Sequence, residues 1–555
     1  MEAVASVGQG RKRKAFWMLA LLGLAPAAGA QAPPAAPPPP ALPSAVGGGA
    51  IPLRIGTINL RTSSLFTPEE AARGSLYRLA NRLHRETRPR LIRSFLLFRE
   101  GDPYDAERIA ESERNLRNLD FLKTVEITVG PLHDSVVDVL VKTQDAWRTN
   151  PSVEFSHAGR STTYDVELTQ RNFLGSGAEV GLELVRDSER LRRAVEVTTP
   201  ALFGPYWNGG LLLSHNSDGS EQKLTLDRPF YSFSNRWMFA AAGDRLTEIK
   251  RLYDQGEAFA AFRLRHQEAA AGAAYAFETS ALLSRRLLAG FERLEDHFEQ
   301  APGAPPSPLP AARNFHFFLT GYQEVANDFV KLDYVNQDLR VEDWNLGRQL
   351  AVRLGASPGG RGGGRRAALL RFAASQGWRA AGRGFLLGHL SYETRRERGR
   401  LANEVAAADL LWVLRLGERP RQTLVARLDY RRGIHLDRDV QFIADELNGL
   451  RAYPLHAYGG DRRLLLNVEH RIFAGREVMQ VFAPGGVVFL DAGAASRPGA
   501  PLSLARLKSD AGAGLRLAIA RAEGLVLRFD GAYRLDRDPS GRRGWVFVAG
   551  TGQAF

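Results

Sequence analysis

From about residue 150 to its end, the chain keeps a period of two, and that alternation limits its fold more than any other feature. In "LVARLDYRR" (424–432), Leu424, Ala426, Leu428 and Tyr430 face one way and Val425, Arg427, Asp429 and Arg431 the other. "RLLLNVEHRI" (463–472) sets Leu464, Leu466, Val468 and Ile472 against Arg463, Asn467, Glu469 and Arg471. "LVLRFDGAYRL" (525–535) and "TYDVELTQRNF" (163–173) repeat the pattern. Successive side chains of a strand point to opposite faces, so these segments are strands with one apolar and one polar face. Any half-buried antiparallel sheet reads this way, a large soluble β-sandwich included. Here, however, the polar face is charged. No blade-length repeat supports a propeller. A transmembrane barrel needs an apolar face toward lipid, a charged face toward the lumen, and closure, because lipid cannot satisfy a free edge. The reading is a mostly β chain with a transmembrane antiparallel β-barrel over 148–555. Sixteen strands are favoured, at roughly 25 residues per strand and connection. A larger number stays open, because 236–340 offers extra segments.

The N-terminal end fits export. "RKRK" (11–14), the apolar run "AFWMLALLGLAPAA" (15–28) and Ala28-Gly29-Ala30 compose a signal peptide over 1–30. A Pro/Ala/Gly-rich linker over 31–50 follows. The chain has no cysteine, which excludes disulfides and thiolate metal sites. Its net charge of +13 is spread along the chain, which suits anionic headgroups better than nucleic acid.

Residues 51–147 have a different period. "LRIGTINL" (53–60) alternates as a strand, and "TPEEAARGSLYRLANRL" (67–83) reads as an inserted helix, for packing or for an accessory protein. "RPRLIRSFLLF" (88–98) is a second helix with Leu91, Ile92, Phe95 and Leu96 on its apolar face. A third, over 105–122, is capped by Asp105. "KTVEITV" and "SVVDVLV" pair as a hairpin. This is a small α+β domain. At the other end, "GWVFVAGTGQAF" (544–555) is a glycine-spaced closing strand. Trp545, Phe547, Ala549, Thr551, Gln553 and Phe555 are expected on one face.

Taken together, these segments resemble the BamA/TamA-like outer-membrane protein assembly and translocation superfamily, also called the bacterial surface antigen D15 family. Residues 51–147 resemble a POTRA domain, whose turn is Gly101, Asp102 and Tyr104 in "LLFREGDPYDAERIAESERNLRNLDFLKTVEI" (96–127). "QRNFLGSGAEVGLEL" (170–184) is similar to the family's early barrel turn, here Asn172, Phe173, Gly175 and Gly177. "GLRAY" (449–453) resembles the tip of the long inward-folded loop, and "FLDAG" (489–493) the strand motif after it. The resemblance implies that Arg451 pairs with Asp491 inside the lumen, with Gly449, Tyr453, Phe489 and Gly493 around them. The alternative is a solvated loop charge. One position departs from the pattern: Ala452 stands where the family has glycine, and a residue forced to positive φ there would cost about 1 kcal/mol or more. The family places this loop between the eleventh and twelfth of sixteen strands, with five strands after it.

The implied function is assembly, insertion or translocation of outer-membrane proteins. The POTRA domain would receive unfolded clients by strand addition. A lateral seam would then open between the first strand and the last, with Gly544, Gly550, Gly552 and Phe555 at the seam. Two alternatives are a two-partner-type transporter passing a client through the lumen, and a passive porin-like barrel. The expected partners are unfolded outer-membrane or secreted proteins, outer-membrane lipid and periplasmic accessory proteins. The expected place is the outer membrane of a Gram-negative-type bacterium, with the POTRA domain in the periplasm. No hydrolase, zinc-protease or nucleotide motif occurs, so neither enzyme activity nor a cofactor or metal is expected.

Overall fold

A computed structural model describes residues 53–554 apart from 65–85, where only 72, 78 and 82 are described, and short stretches of which the longest are 337–340, 417–420 and 520–525. The expected signal peptide and linker, most of the helix expected at 67–83, and Phe555 lie outside the described residues.

The N-terminal unit holds β1 (Arg54–Ser63), α1 (Pro89–Ser94), α2 (Ala106–Arg117), β2 (Leu122–His133) and β3 (Val136–Asp145). The sheet order is β1-β3-β2, with β1 parallel to β3 and β2 antiparallel to it. α1 opens on Pro89, whose missing N–H is one the first turn leaves unpaired anyway. Asp105 caps α2 by accepting from the N–H groups of Glu107 and Arg108 at 3.0 and 3.2 Å. α2 stops at Arg117, earlier than the periodicity suggests. Ile92, Phe95, Ile109, Leu116, Val125, Val139 and Val141 form one core between helices and sheet.

The rest is one closed antiparallel barrel of 20 strands. It opens with β4 (Thr149–Ala158), β5 (Ser161–Phe173), β6 (Ala178–Arg186), β7 (Leu191–Thr199), β8 (Asn208–Asn216) and β9 (Gly219–Arg228). A tall wall follows: β10 (Trp237–Asp254), β11 (Glu257–Thr279), β12 (Leu283–Gln300) and β13 (Arg313–Ala326). A separate hairpin, β14 (Phe329–Asp333) with β15 (Val341–Asn345), intervenes before β16 (Gln349–Pro358), β17 (Arg366–Ala380), β18 (Gly384–Glu397), β19 (Arg400–Leu416) and β20 (Gln422–Ile434). The long loop carries β21 (Phe442–Ala444) and β22 (Tyr458–Gly460). β23 (Arg462–Phe473), β24 (Phe482–Ser496), β25 (Lys508–Ile519), β26 (Val526–Arg534) and β27 (Gly544–Thr551) close the ring.

The favoured count of sixteen strands is therefore corrected to 20, and the extra strands all precede the long loop. That loop lies between the fifteenth and sixteenth strands, with five after it. The tall wall explains the ambiguity over 236–340: β11 runs 23 residues, about twice what a tilted strand needs to cross a bilayer.

In that wall the alternation changes sense along each strand. On β11, Ala269, Ala271 and Phe277 face out near one end, and Arg265 and Gln267 face out nearer the other. On β12, Leu287 and Phe291 face out, followed by Arg293 and His297. The inner face is mixed, with Met238, Ala240 and Ala274 in a small apolar cluster at the first end and His266, Asp296 and Arg313 bonded together at the second. Glu292 and Arg371 pair at 2.6 Å inside, whereas just beyond them Leu294, Phe315, Phe317 and Leu369 make a buried apolar cluster. The wall is thus membrane-type along one half and has an inner core like a soluble sheet along the other.

Candidate functional site: a braced lumen and a short seam

Arg451 is 5% exposed inside the barrel. Its Nε donates to Asp491 Oδ2 at 2.6 Å and its Nη2 to Asp491 Oδ1 at 3.1 Å, a two-pronged carboxylate bond. Nη2 also lies 2.9 Å from Glu469 Oε1, and Nη1 3.4 Å from Asp530 Oδ2. The guanidinium sits over the Phe489 ring, 3.7 Å from its centroid. Asn467 ties the assembly together, its Nδ2 donating to both Gly449 O at 2.6 Å and Asp491 Oδ1 at 2.7 Å. Tyr453, fully buried, donates its hydroxyl to Ser509 O at 3.0 Å.

The glycines have separate reasons. Gly449 has φ +117°, and a Cβ there would come within 2.9 Å of Asn467 Oδ1. A Cβ on Gly493 would come within 2.6 Å of Leu465 and 3.3 Å of Leu450, so this glycine admits the loop tip against the wall. Ala452 is not among the positive-φ residues. It packs, fully buried, with Val487, Phe489, Ala532 and Val546 and donates its N–H to Asp510 Oδ2 at 3.3 Å. The strain considered for alanine does not arise.

The sequence reading missed the loop's second anchor. Asp437 and Asp439, in "HLDRDV", reach the opposite wall. Arg313 donates to both, at 2.9 Å and 2.7 Å, while Lys250 lies 3.2 Å from Asp439 and Arg395 2.9 Å from Asp437. Further along, His456 stacks on Tyr253 of β10 at 3.7 Å. The loop is therefore a brace across the lumen, with its base on β10, β13 and β18 and its tip on β23–β26. The readable signal was a pair of carboxylates two residues apart just before the tip.

The early barrel turn joins the two units. Asn172, with φ +53° and no exposed surface, accepts the Gly177 N–H at 2.7 Å and donates to Thr87 Oγ1 at 2.6 Å. Thr87 in turn donates to both oxygens of buried Asp145. A Cβ on Gly175 would meet Glu86 O at 2.8 Å, and one on Gly177 would meet Leu91 at 3.0 Å. Phe173 stays 45% exposed on the outside. Tyr206, between β7 and β8, donates to Phe95 O, and burial holds its phenol well above the ordinary range, so it remains a donor. Thr87, Asp145 and Tyr206 escaped the sequence reading because their partners are distant in sequence.

The turn at Gly101, Asp102 and Tyr104 covers the outer edge of β1. Gly101 N donates to Ile55 O at 2.8 Å, Ile55 N to Asp102 O at 2.9 Å and Tyr104 N to Leu53 O at 2.8 Å. Gly101 has φ +89°. Among the described residues, no strand pairs with the other edge of the sheet, on β2.

The ring closes between β27 and β4. Against β26, β27 is paired along its whole length, from Leu527–Thr551 to Arg534–Gly544. Against β4 the register among the described residues is Val548–Ser156 and Ala549–Phe155, with a side-chain bond between Ser152 and Thr551 at 2.9 Å. β4 carries Pro151, a residue that sheets tolerate on edge strands. Gly544 and Gly552 have φ +130° and +79°, while Gly550 pairs with Arg528 inside β27. The expected single face from Trp545 to Gln553 is corrected. Trp545 and Phe547 face out, but after Gly552 the chain turns and Gln553 points inward, where its Oε1 accepts from Arg516 Nε at 3.1 Å.

No family model matches the chain, and no curated protein matches it. Among solved structures, the chain is similar to BamA from Haemophilus ducreyi lacking POTRA domains 1–3, with 13% identity, 90% of this chain and 85% of that chain covered and a TM-score of 0.40. CdiB from Acinetobacter baumannii is similar at 13% identity, over 90% of this chain and 74% of that chain, with a TM-score of 0.45. OccK5 from Pseudomonas aeruginosa is similar at 9% identity, over 73% and 97%, with a TM-score of 0.32. Likenesses at this level carry no functional conclusion.

Proposed function

We propose that this protein assembles or translocates outer-membrane proteins, with the small domain acting as a periplasmic POTRA-type receiver and the β4–β27 seam as a lateral gate. The observation that carries the reading is the ladder at that seam, two pairs among the described residues where every other neighbouring pair of barrel strands has eight or more. A strand edge exposed by opening is a template for a client strand. Among the described residues no strand pairs with the outer edge of β2, which supports capture of an extended client by strand addition there, since the outer edge of β1 is occupied by its own turn. The step exchanges backbone hydrogen bonds and needs no catalytic group, cofactor or metal.

The filled lumen favours this route over a passive pore or passage through the barrel. A brace with buried ion pairs on both walls would have to leave first, and breaking one buried pair costs about 3–5 kcal/mol.

The test uses the cysteine-free background. Ser152→Cys with Thr551→Cys bridges the seam. A folded, oxidised barrel that stalls client assembly and recovers on reduction supports the lateral gate. Undiminished assembly by the bridged barrel would sink it.

A further inference from the structure

The hairpin β14–β15 leaves the barrel at the same end as the small domain, because it connects β13 to β16. It belongs to no barrel ladder and folds into the lumen as a second plug, opposite in origin to the long loop. Its two ends are held differently. On one side, Leu332, Val335 and Leu346 pack with Phe385, Val413 and Val425 on the inner faces of β18, β19 and β20. Asp328 and Asp333 pair there with Arg379 and Arg415. Thr423 of β20 donates to Tyr334 O.

On the far side the Tyr334 ring lies 5.7 Å from Phe473 of β23, and the remaining contacts described are polar. Asn336 is fixed within the hairpin by Glu342, whose carboxylate accepts its N–H at 2.6 Å and its Nδ2 at 2.8 Å. So held, Asn336 offers two oxygens across the lumen. Its side-chain oxygen accepts from Arg471 Nη1 at 3.0 Å, as does Val335 O. Its backbone oxygen accepts from Gln553 Nε2 at 2.8 Å. Gln553 follows the final strand directly, at the end where Thr551 meets Ser152 across the seam.

We propose that this hairpin is a latch on the seam: seated, it holds the end of β27 through Gln553, and unseated, it releases it. The asymmetry of its attachment gives the direction of movement. An apolar cluster anchors it to β18–β20, while its hold on the end of β27 is polar and readily replaced by water. The latch also touches the brace. Arg471 Nε bonds Glu469 Oε2 at 2.7 Å, and Glu469 Oε1 faces Arg451 at 2.9 Å, so loop tip and hairpin meet through a single carboxylate.

The proposal rests on the seam being a gate, but its test reads seam closure directly and needs no client. Thiols at Ser152→Cys and Thr551→Cys, in proteoliposomes held at a fixed glutathione ratio, report by their disulfide fraction how often the seam is closed. Gln553→Ala removes the part-buried bond to Asn336 together with the one from Arg516, and is expected to lower the effective thiol concentration about three- to tenfold. Asn336→Ala is the deciding variant. It removes the bond to Arg471 of β23, on the side that lets go, leaves the Gln553 side chain and its backbone acceptor in place, and is expected to shift the reporter in the same direction. A heat-modifiability gel confirms that each variant is folded. If Gln553→Ala opens the seam and Asn336→Ala does not, Gln553 is a local fastening and the latch is overturned. If neither moves the reporter, it is overturned outright. A latch that behaves as expected in a protein whose bridged seam still assembles clients would separate the two proposals, leaving the latch and removing the gate.

Discussion

The tall wall and the seam are built from the same alternating pattern and treat it in opposite ways. In the wall, β10 to β12 run 18, 23 and 18 residues, each ladder is nearly continuous, and the inner face beyond the membrane half carries an apolar cluster beside buried ion pairs. At the seam, β27 has 8 residues, and its register with β4 among the described residues covers two neighbouring residues of each strand. The β-ladder resists opening in proportion to its paired length and buried surface, so local stability differs across one closed sheet. The wall also receives the base of the brace, while the tip lands on β23–β26, beside the seam. The rigid side thus steadies the side that is least paired.

The largest effect is expected from removing the brace tip. Arg451→Ala leaves Glu469, Asp491 and Asp530 facing one another without their shared cation, which costs about 3–5 kcal/mol for a buried ion pair broken on one side. Urea titration of the heat-modifiable barrel measures it. Arg451→Lys keeps the charge but loses the planar fork, and is expected to recover only part of the stability. A loss under 1 kcal/mol for Arg451→Ala would mean that the tip is not what steadies the seam side.

The wall can be broken more selectively. Phe315 is fully buried on the inner face of β13, and Phe318, three residues on, is 62% exposed on the outer face. Phe315→Ala is expected to cost about 3 kcal/mol, a buried aromatic removed from an apolar core. Phe318→Ala should cost much less. The same urea titration compares them. Equal costs would contradict the inverted alternation, and with it the description of the wall as half membrane sheet and half soluble sheet.

Much of this was legible in the sequence, and the gaps have physical causes. Period-two alternation identified the barrel, and the strands after the loop tip were separable because each, at 8 to 15 residues, crosses only once. The extra strands were not separable, because β10–β13 continue past the membrane and their alternation changes sense there, which mimics additional crossings. The hairpin β14–β15 added further strand-like sequence that never joins the ring. Gln553 was assigned to the outer face because alternation was carried through Gly552, whose positive φ ends it. Arg451 and Asp491 were brought together by resemblance, whereas Asp437, Asp439, Thr87 and Asp145 act through partners that no local pattern reveals.

The smallest expected effect probes why the seam is short at all. Pro151 is in β4, a strand paired firmly with β5 on one side only. The seam register sets Pro151 opposite Gln553, just past the end of β27, so its missing N–H keeps the ladder from lengthening at that end. Pro151→Val restores a donor and a strand-forming side chain there. One added hydrogen bond is worth about 1 kcal/mol, so the Ser152/Thr551 thiol reporter should show the seam closed roughly fivefold more often. If the gate reading holds, client assembly slows in step. An unchanged reporter would mean that curvature of the closing sheet, rather than this proline, limits the ladder. The contrast between wall and seam would then lie in the geometry of 20 strands closing on themselves.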